Sequence, residues 1–243
     1  MESALVREAE IVFGAPTTRH LQERAAGGAA APAPVDDSPA DIAPAGQAAD
    51  EVSMAENAPA LSRLNMTPRQ QRRLWRHVES IDGFWEQLQE IERGAVQRLS
   101  ATAADRRWEV IFLAQRPSTL GATAQVQTQR WLESRGFTLP SVYVVHGSRE
   151  RIAAALGIDV VLDDRPDHCL DVVADSKARA ILVWREDRKF LPAAAKHPGI
   201  SVVDSVGECF DIFSQMDPAA GGEEPGIVRR LMRFFGRKEP AGA

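Results

Sequence analysis

Asp163 and Asp164 stand side by side at the end of an apolar run, in the stretch Leu162-Asp163-Asp164-Arg165-Pro166. The run before them, Ile158-Asp159-Val160-Val161-Leu162, reads as a buried strand. Adjacent carboxylates at a strand's end repel each other, so one takes up a proton unless a cation or water compensates both. The sharper reading is a cation held between the two carboxylates. The plainer reading is loop chemistry, with one carboxylate in water and the other pairing with Arg165 or capping the helix from Pro166. Two neighbouring loops carry cations. Arg149 follows Ser148, and Arg116 precedes Pro117. Ser148, Arg149 and Arg116 are the candidates for holding a phosphate or other anion, against the reading of solvated arginines. His146 reads as an ordinary polar loop residue and Cys169 as helix packing.

The elements that must position these groups alternate. The sequence predicts strands over 108–114, 141–145, 159–163, 178–184 and 200–205, and helices over 122–136, 148–157, 167–176 and 206–216. Alternating β and α with near-continuous Val, Ile and Leu strands means α/β: a Rossmann-like parallel sheet with helices on both faces. Ligands in such sheets lie beyond the carboxyl ends of the strands. That rule selects the loops at Arg116, at 146–149 and at 163–165, and the first four strands are expected to be parallel neighbours in one sheet. Ahead of them, residues 66–105 read as helical. Thr67 is an N-cap, Pro68 sits in the first turn, and Leu74, Trp75 and Val78 form the apolar face, with a break near Gly94.

Composition sets the outer limits. The chain has 243 residues and a net charge of −5, which gives no support to specific nucleic-acid binding. Two cysteines, Cys169 and Cys209, make no disulfide framework, and the acidic N-terminus is unlike a signal peptide. The expected location is cytoplasmic, with peripheral membrane attachment as a variant. Residues 25–60 are rich in Ala and Pro, with acids and no Lys or Arg from 31 to 60, and read as a disordered linker. It separates a segment, 1–24, from an α/β domain at 61–216. In that segment residues 9–13 read as a strand or equally as helix.

The stretches IFLAQRP, QTQRWLESRGF, GSRERIAAALGIDVVLDDRPDHCLDV and DSKARAILVW resemble the haloacid dehalogenase superfamily, in its 5′-nucleotidase-like phosphohydrolase branch. The resemblance covers roughly residues 65–215. It implies a strand ending in Asp-x-Asp that supplies the nucleophile, a Thr or Ser hydroxyl that holds the phosphoryl group, a Lys, and an acidic pair on Mg²⁺. Phosphoryl transfer of this kind is positioning and charge neutralisation around a nucleophile. On this chain the resemblance makes Asp163 and Asp164 the metal pair. It places Ala114 in the hydroxyl position and Arg149 in the Lys position. The nearest upstream match to the Asp-x-Asp strand, residues 9–18, has Gly14 and Pro16 where the two Asp belong. No catalytic residue is therefore identified, and any Mg²⁺ binding is expected to be weak.

A last segment falls outside the resemblance. After a linker at 217–225, residues 226–238 read as a basic amphipathic helix. Leu231, Phe234 and Phe235 lie on one face, and Arg229, Arg230 and Arg233 on the other. It suits an anionic membrane surface or an acidic protein partner, or packs on its own domain. The expected function is that of a catalytically degenerate protein kept as a binding, scaffold or assembly module. The alternatives are an active Mg²⁺-dependent phosphatase and a structural subunit docked through its terminal segments.

Overall fold

A computed structural model describes residues 2–26, 64–145 and 148–215. Residues 27–60 of the linker, His146, the 217–225 linker and the whole 226–238 segment lie outside the described residues. The architecture is mixed α/β, with two small parallel sheets. It divides into two compact units. The first holds the described residues up to Gln89, with Ala114–Trp131 and 142–145; the second holds Glu90–Leu113, Leu132–Ser141 and 148–215.

The first unit begins with α1 (Glu2–Phe13) and α2 (Ala15–Ala26). Segment 9–13 is thus helical and supplies no strand. The spacing decides it: Leu5, Glu8 and Ala9 are buried and Val12 is half-buried, a face with helical period, while Ile11 is 65% exposed. α3 (Pro68–Glu79) packs on α1. Its start is the predicted one, with Thr67 and Gln70 forming a reciprocal capping box ahead of Pro68. Leu74, Trp75 and Val78 enter the unit's core beside Phe84 and Trp85, which belong to a 3₁₀ turn (Phe84–Gln87).

The second unit carries α4 (Ala95–Arg106), most of β1 (Ile111–Ala114), α6 (Arg149–Leu156), β3 (Val160–Asp163), α7 (Pro166–Asp175), β4 (Arg179–Val183), β5 (Ile200–Val203) and α8 (Val206–Gln215). α5 (Ala124–Glu133) and β2 (Ser141–Val144) complete the chain order. β3, β4 and β5 form one parallel sheet with β4 in the middle. Val160 stands opposite Arg179 and Asp163 opposite Leu182, and Ala180 opposite Ile200. Four of the five β4 residues are buried, in keeping with a central strand covered on both faces.

The expectation of one continuous sheet is corrected. β1 pairs with β2 in a separate two-stranded sheet, and β3 is the edge of the three-stranded one. Among the described residues no sixth strand is present, since the one upstream candidate has folded as α1. Two 3₁₀ turns, Arg188–Phe190 and Ala193–Lys196, fill the β4–β5 connection.

Candidate functional site

β3 delivers Asp163 as its last residue, at the carboxyl end of the sheet. The backbone turns there because Arg165 N–H donates to Asp163 Oδ1 at 2.9 Å, and Pro166 then opens α7. Two side chains converge on the other oxygen. Arg149, first residue of α6, donates from Nη1 to Oδ2 at 2.5 Å. His168, in the first turn of α7, brings Nδ1 to 3.3 Å from the same oxygen and to 3.0 Å from Arg149 Nη1. Nδ1 serves one neighbour at a time, as donor to Asp163 in one tautomer and acceptor from Arg149 in the other.

This arrangement separates the two aspartates electrostatically. Burial works against charge on Asp163, but His168, Arg149 and the Arg165 N–H outweigh it and hold its carboxyl below the ordinary range. Asp164 goes the other way. Partial burial and the negative charge of Asp163 push its carboxyl above the ordinary range. Asp164 nevertheless keeps an exposed surface. The repulsion expected from the sequence is therefore resolved by one satisfied carboxylate and one that binds its proton more readily.

For Mg²⁺ the donor set is thin. Both Asp163 oxygens are engaged by the chain's own N–H groups, and no group of three or more His, Cys, Asp or Glu that could hold a metal occurs among the described residues. A Mg²⁺ ion demands near-octahedral oxygen ligation, and Asp163 would have to release Arg149 to join it. Asp164 keeps an exposed carboxylate, so of the pair only Asp163 is committed to the chain's own donors.

The remaining candidates fall in different places. Ser148 is the N-cap position of α6, but its hydroxyl makes no cap bond. Arg116 belongs to the first unit. It lies over the Trp85 ring at 5.1 Å and donates to Thr128 Oγ1 at 2.7 Å, and burial lowers its pKa to about 10. Its charge is held by an aromatic face and a hydroxyl rather than by a carboxylate. Cys169 and Cys209 are free and buried, and burial pushes each thiol up to about 12, which suits packing and not reactivity.

Two participants escaped the sequence reading. His168 lies in the first turn of what reads as a helix, and only its position five residues after Asp163 hints that α7 turns it back to the strand end. Glu92 has no local signal at all. Its Oε1 accepts from Val206 N–H at 2.9 Å and from Arg185 Nη2 at 2.8 Å, and its Oε2 accepts from Gly207 N–H at 2.9 Å. A helix N-terminus attracts anions because its first N–H groups lack partners. At α8 a carboxylate from 114 residues earlier in the chain fills that role. The sheet's carboxyl edge thus presents an acid neutralised by Arg149 and a helix terminus neutralised by Glu92. The sequence matches no protein-family model, no curated protein and no solved structure.

Proposed function

We propose that this chain is a catalytically silent member of the haloacid dehalogenase-like proteins, working as a binding or assembly module. The observation that carries the reading is the internal neutralisation of Asp163 by Arg149 and His168. In a working phosphohydrolase the cation neutralises the substrate's phosphoryl group and the acid helps hold the metal. Here the two neutralise each other. Ala114 offers a methyl group where the resemblance calls for a hydroxyl. No Asp-x-Asp strand stands beside β3 among the described residues, and without such a strand the easier two-step path through an attacking carboxylate is not open.

The acidic end of β3 and the exposed Asp164 favour the second reading, an active Mg²⁺-dependent phosphatase whose nucleophile lies elsewhere in the sequence or comes from another chain. Phosphate release from nucleoside monophosphates and aryl phosphates, followed with purified protein and Mg²⁺, separates the two. The silent reading expects no turnover above background. Turnover that Asp163→Asn abolishes would establish the phosphatase.

A further inference from the structure

The second unit contains a cavity of about 680 Å³. Consecutive residues of β1, Ile111 to Leu113, line it, and so do consecutive residues of β3, Val160 to Asp163. Each of these strands has a single strand neighbour, β2 for β1 and β4 for β3. Each therefore keeps one edge without a strand partner among the described residues. α6 contributes Ile152 and Leu156 to the lining, α4 contributes Leu99, and α8 contributes Phe210 and Phe213.

Burial marks the same place. The apolar strand Ile111-Phe112-Leu113-Ala114 is only half-buried throughout, and Leu162 of β3 is 40% exposed. In β4, by contrast, Ala180, Ile181, Leu182 and Val183 are all buried. Strands of parallel sheets carry continuous apolar runs because both faces are covered. β1 and β3 have that composition without that cover.

We infer that this cavity is a slot for one extended strand of a separate polypeptide, which pairs its backbone with the open edges of β1 and β3 and joins the two sheets. The hydrogen-bonding edges select a peptide over an apolar small molecule, because a row of backbone N–H and C=O groups is best met by another backbone. The apolar helix residues in the lining require side chains that are apolar on both faces. Ile111–Leu113 and Val160–Leu162 of the lining are uncharged, and its charged residues are Arg107, Glu109, Asp159 and the Arg149–Asp163 pair.

This chain's own remaining residues do not meet that description. Outside the described residues no four consecutive positions are all Val, Ile, Leu, Met, Phe, Tyr or Trp. Every four-residue window from 227 to 238 contains an Arg or Lys. The occupant that fits the lining is an apolar, strand-forming segment of another protein. The inference deepens the reading of the chain as a binding module and rests on it. Its failure appears in melting and hydrogen exchange, whereas failure of that reading appears as phosphate release, so the two are distinguishable.

The test tethers a strand to the full chain. After Ala243 a Gly/Ser linker of about 15 residues leads to the sequence Val-Ile-Val-Val-Phe, and a control carries Pro at its second and fourth positions. A tether raises the effective concentration enough to reveal a weak site. The strand tether is expected to raise Tm by at least about 5 °C and to slow amide exchange at 111–113 and 160–163 by about tenfold or more. The proline tether is expected to do neither, because proline cannot donate to a ladder. Equal melting and equal exchange for the two tethers would overturn the proposal. So would slow exchange at those amides in the untethered chain, whether as a dimer, which assigns the slot to a second copy, or as a monomer, which assigns it to the chain itself. Sedimentation of the untethered chain tells those two apart.

Discussion

Arg149 Nη1 donates to Asp163 Oδ2, a bond that ties the first residue of α6 to the last residue of β3. Both side chains are largely withdrawn from water, Asp163 at 8% exposure and Arg149 at 19%. The cation that the sequence offers for an anion is thereby occupied by the chain's own acid. The pair reads as structural, and its energetics are open to measurement.

Replacing Asp163 by Asn leaves Arg149 and the Arg165 N–H facing a neutral group. Breaking a buried pair from one side costs roughly 3 kcal/mol, and urea denaturation of Asp163→Asn is expected to show a loss of that order. The double variant Asp163→Asn with Arg149→Met recovers part of it, because the uncompensated charge is gone. A loss below about 0.5 kcal/mol would place the pair among exposed ion pairs instead.

Acid should weaken the second unit. Although burial opposes its charge, Glu92 is held below its ordinary value of 4.5 by the Val206 N–H, by Arg185 and by the Gly207 N–H. A depressed carboxylate stabilises the fold fully above its unfolded pKa, and the contribution disappears as pH falls through the lower folded value. Stability followed by denaturation is expected to drop below about pH 4.5. Glu92→Gln should flatten that fall while lowering stability at neutral pH. An unchanged acid limb in Glu92→Gln would remove Glu92 from its cause.

Gln127 is a pinning residue of the first unit. It is fully buried, accepts from Trp85 N–H at 3.0 Å, and donates from Nε2 to Ala122 O at 2.6 Å. Gln127→Leu keeps the bulk but orphans a buried N–H and a carbonyl. Each unsatisfied group costs about 1–3 kcal/mol, so thermal denaturation should show a clear fall in Tm. A neutral effect would mean that water enters and replaces the amide.

Much of this fold was legible along the chain and little of the site. The strands at 160–163 and 179–183 and the Thr67 cap are local signals, carried by apolar runs and by a hydroxyl before a proline. The α/β class follows from their alternation. The partition into two sheets does not, because strand pairing is a long-range relation that local apolar runs do not encode. Segment 9–13 could not be assigned by composition, since Ile11, Val12 and Phe13 suit strand and helix alike. The burial of Leu5, Glu8 and Ala9 settles it. At the site Asp163, Asp164 and Arg149 were readable because they flank predicted strands. His168 and Glu92 were not, because their roles come from a helix turn and from a contact across 114 residues.

The basic segment 226–238 is proposed as a docking element on the strength of its sequence. Deleting 222–243 is expected to leave Tm nearly unchanged and to reduce binding to vesicles containing anionic lipid. Binding by the full chain should weaken with salt, as screening at about 0.15 M confines exposed charges to roughly 8 Å. A large fall in Tm on deletion would assign Phe234 and Phe235 to the protein's own core.

The most direct test of the account follows the Asp163 side-chain carboxyl carbon by NMR while MgCl₂ is added, with Asp163→Asn used for assignment. A carboxylate satisfied by Arg149, His168 and the Arg165 N–H should keep its resonance unchanged through stoichiometric and several-fold excess Mg²⁺. A saturable shift at one equivalent of Mg²⁺ would show that the metal displaces Arg149, and would contradict the silent-site reading.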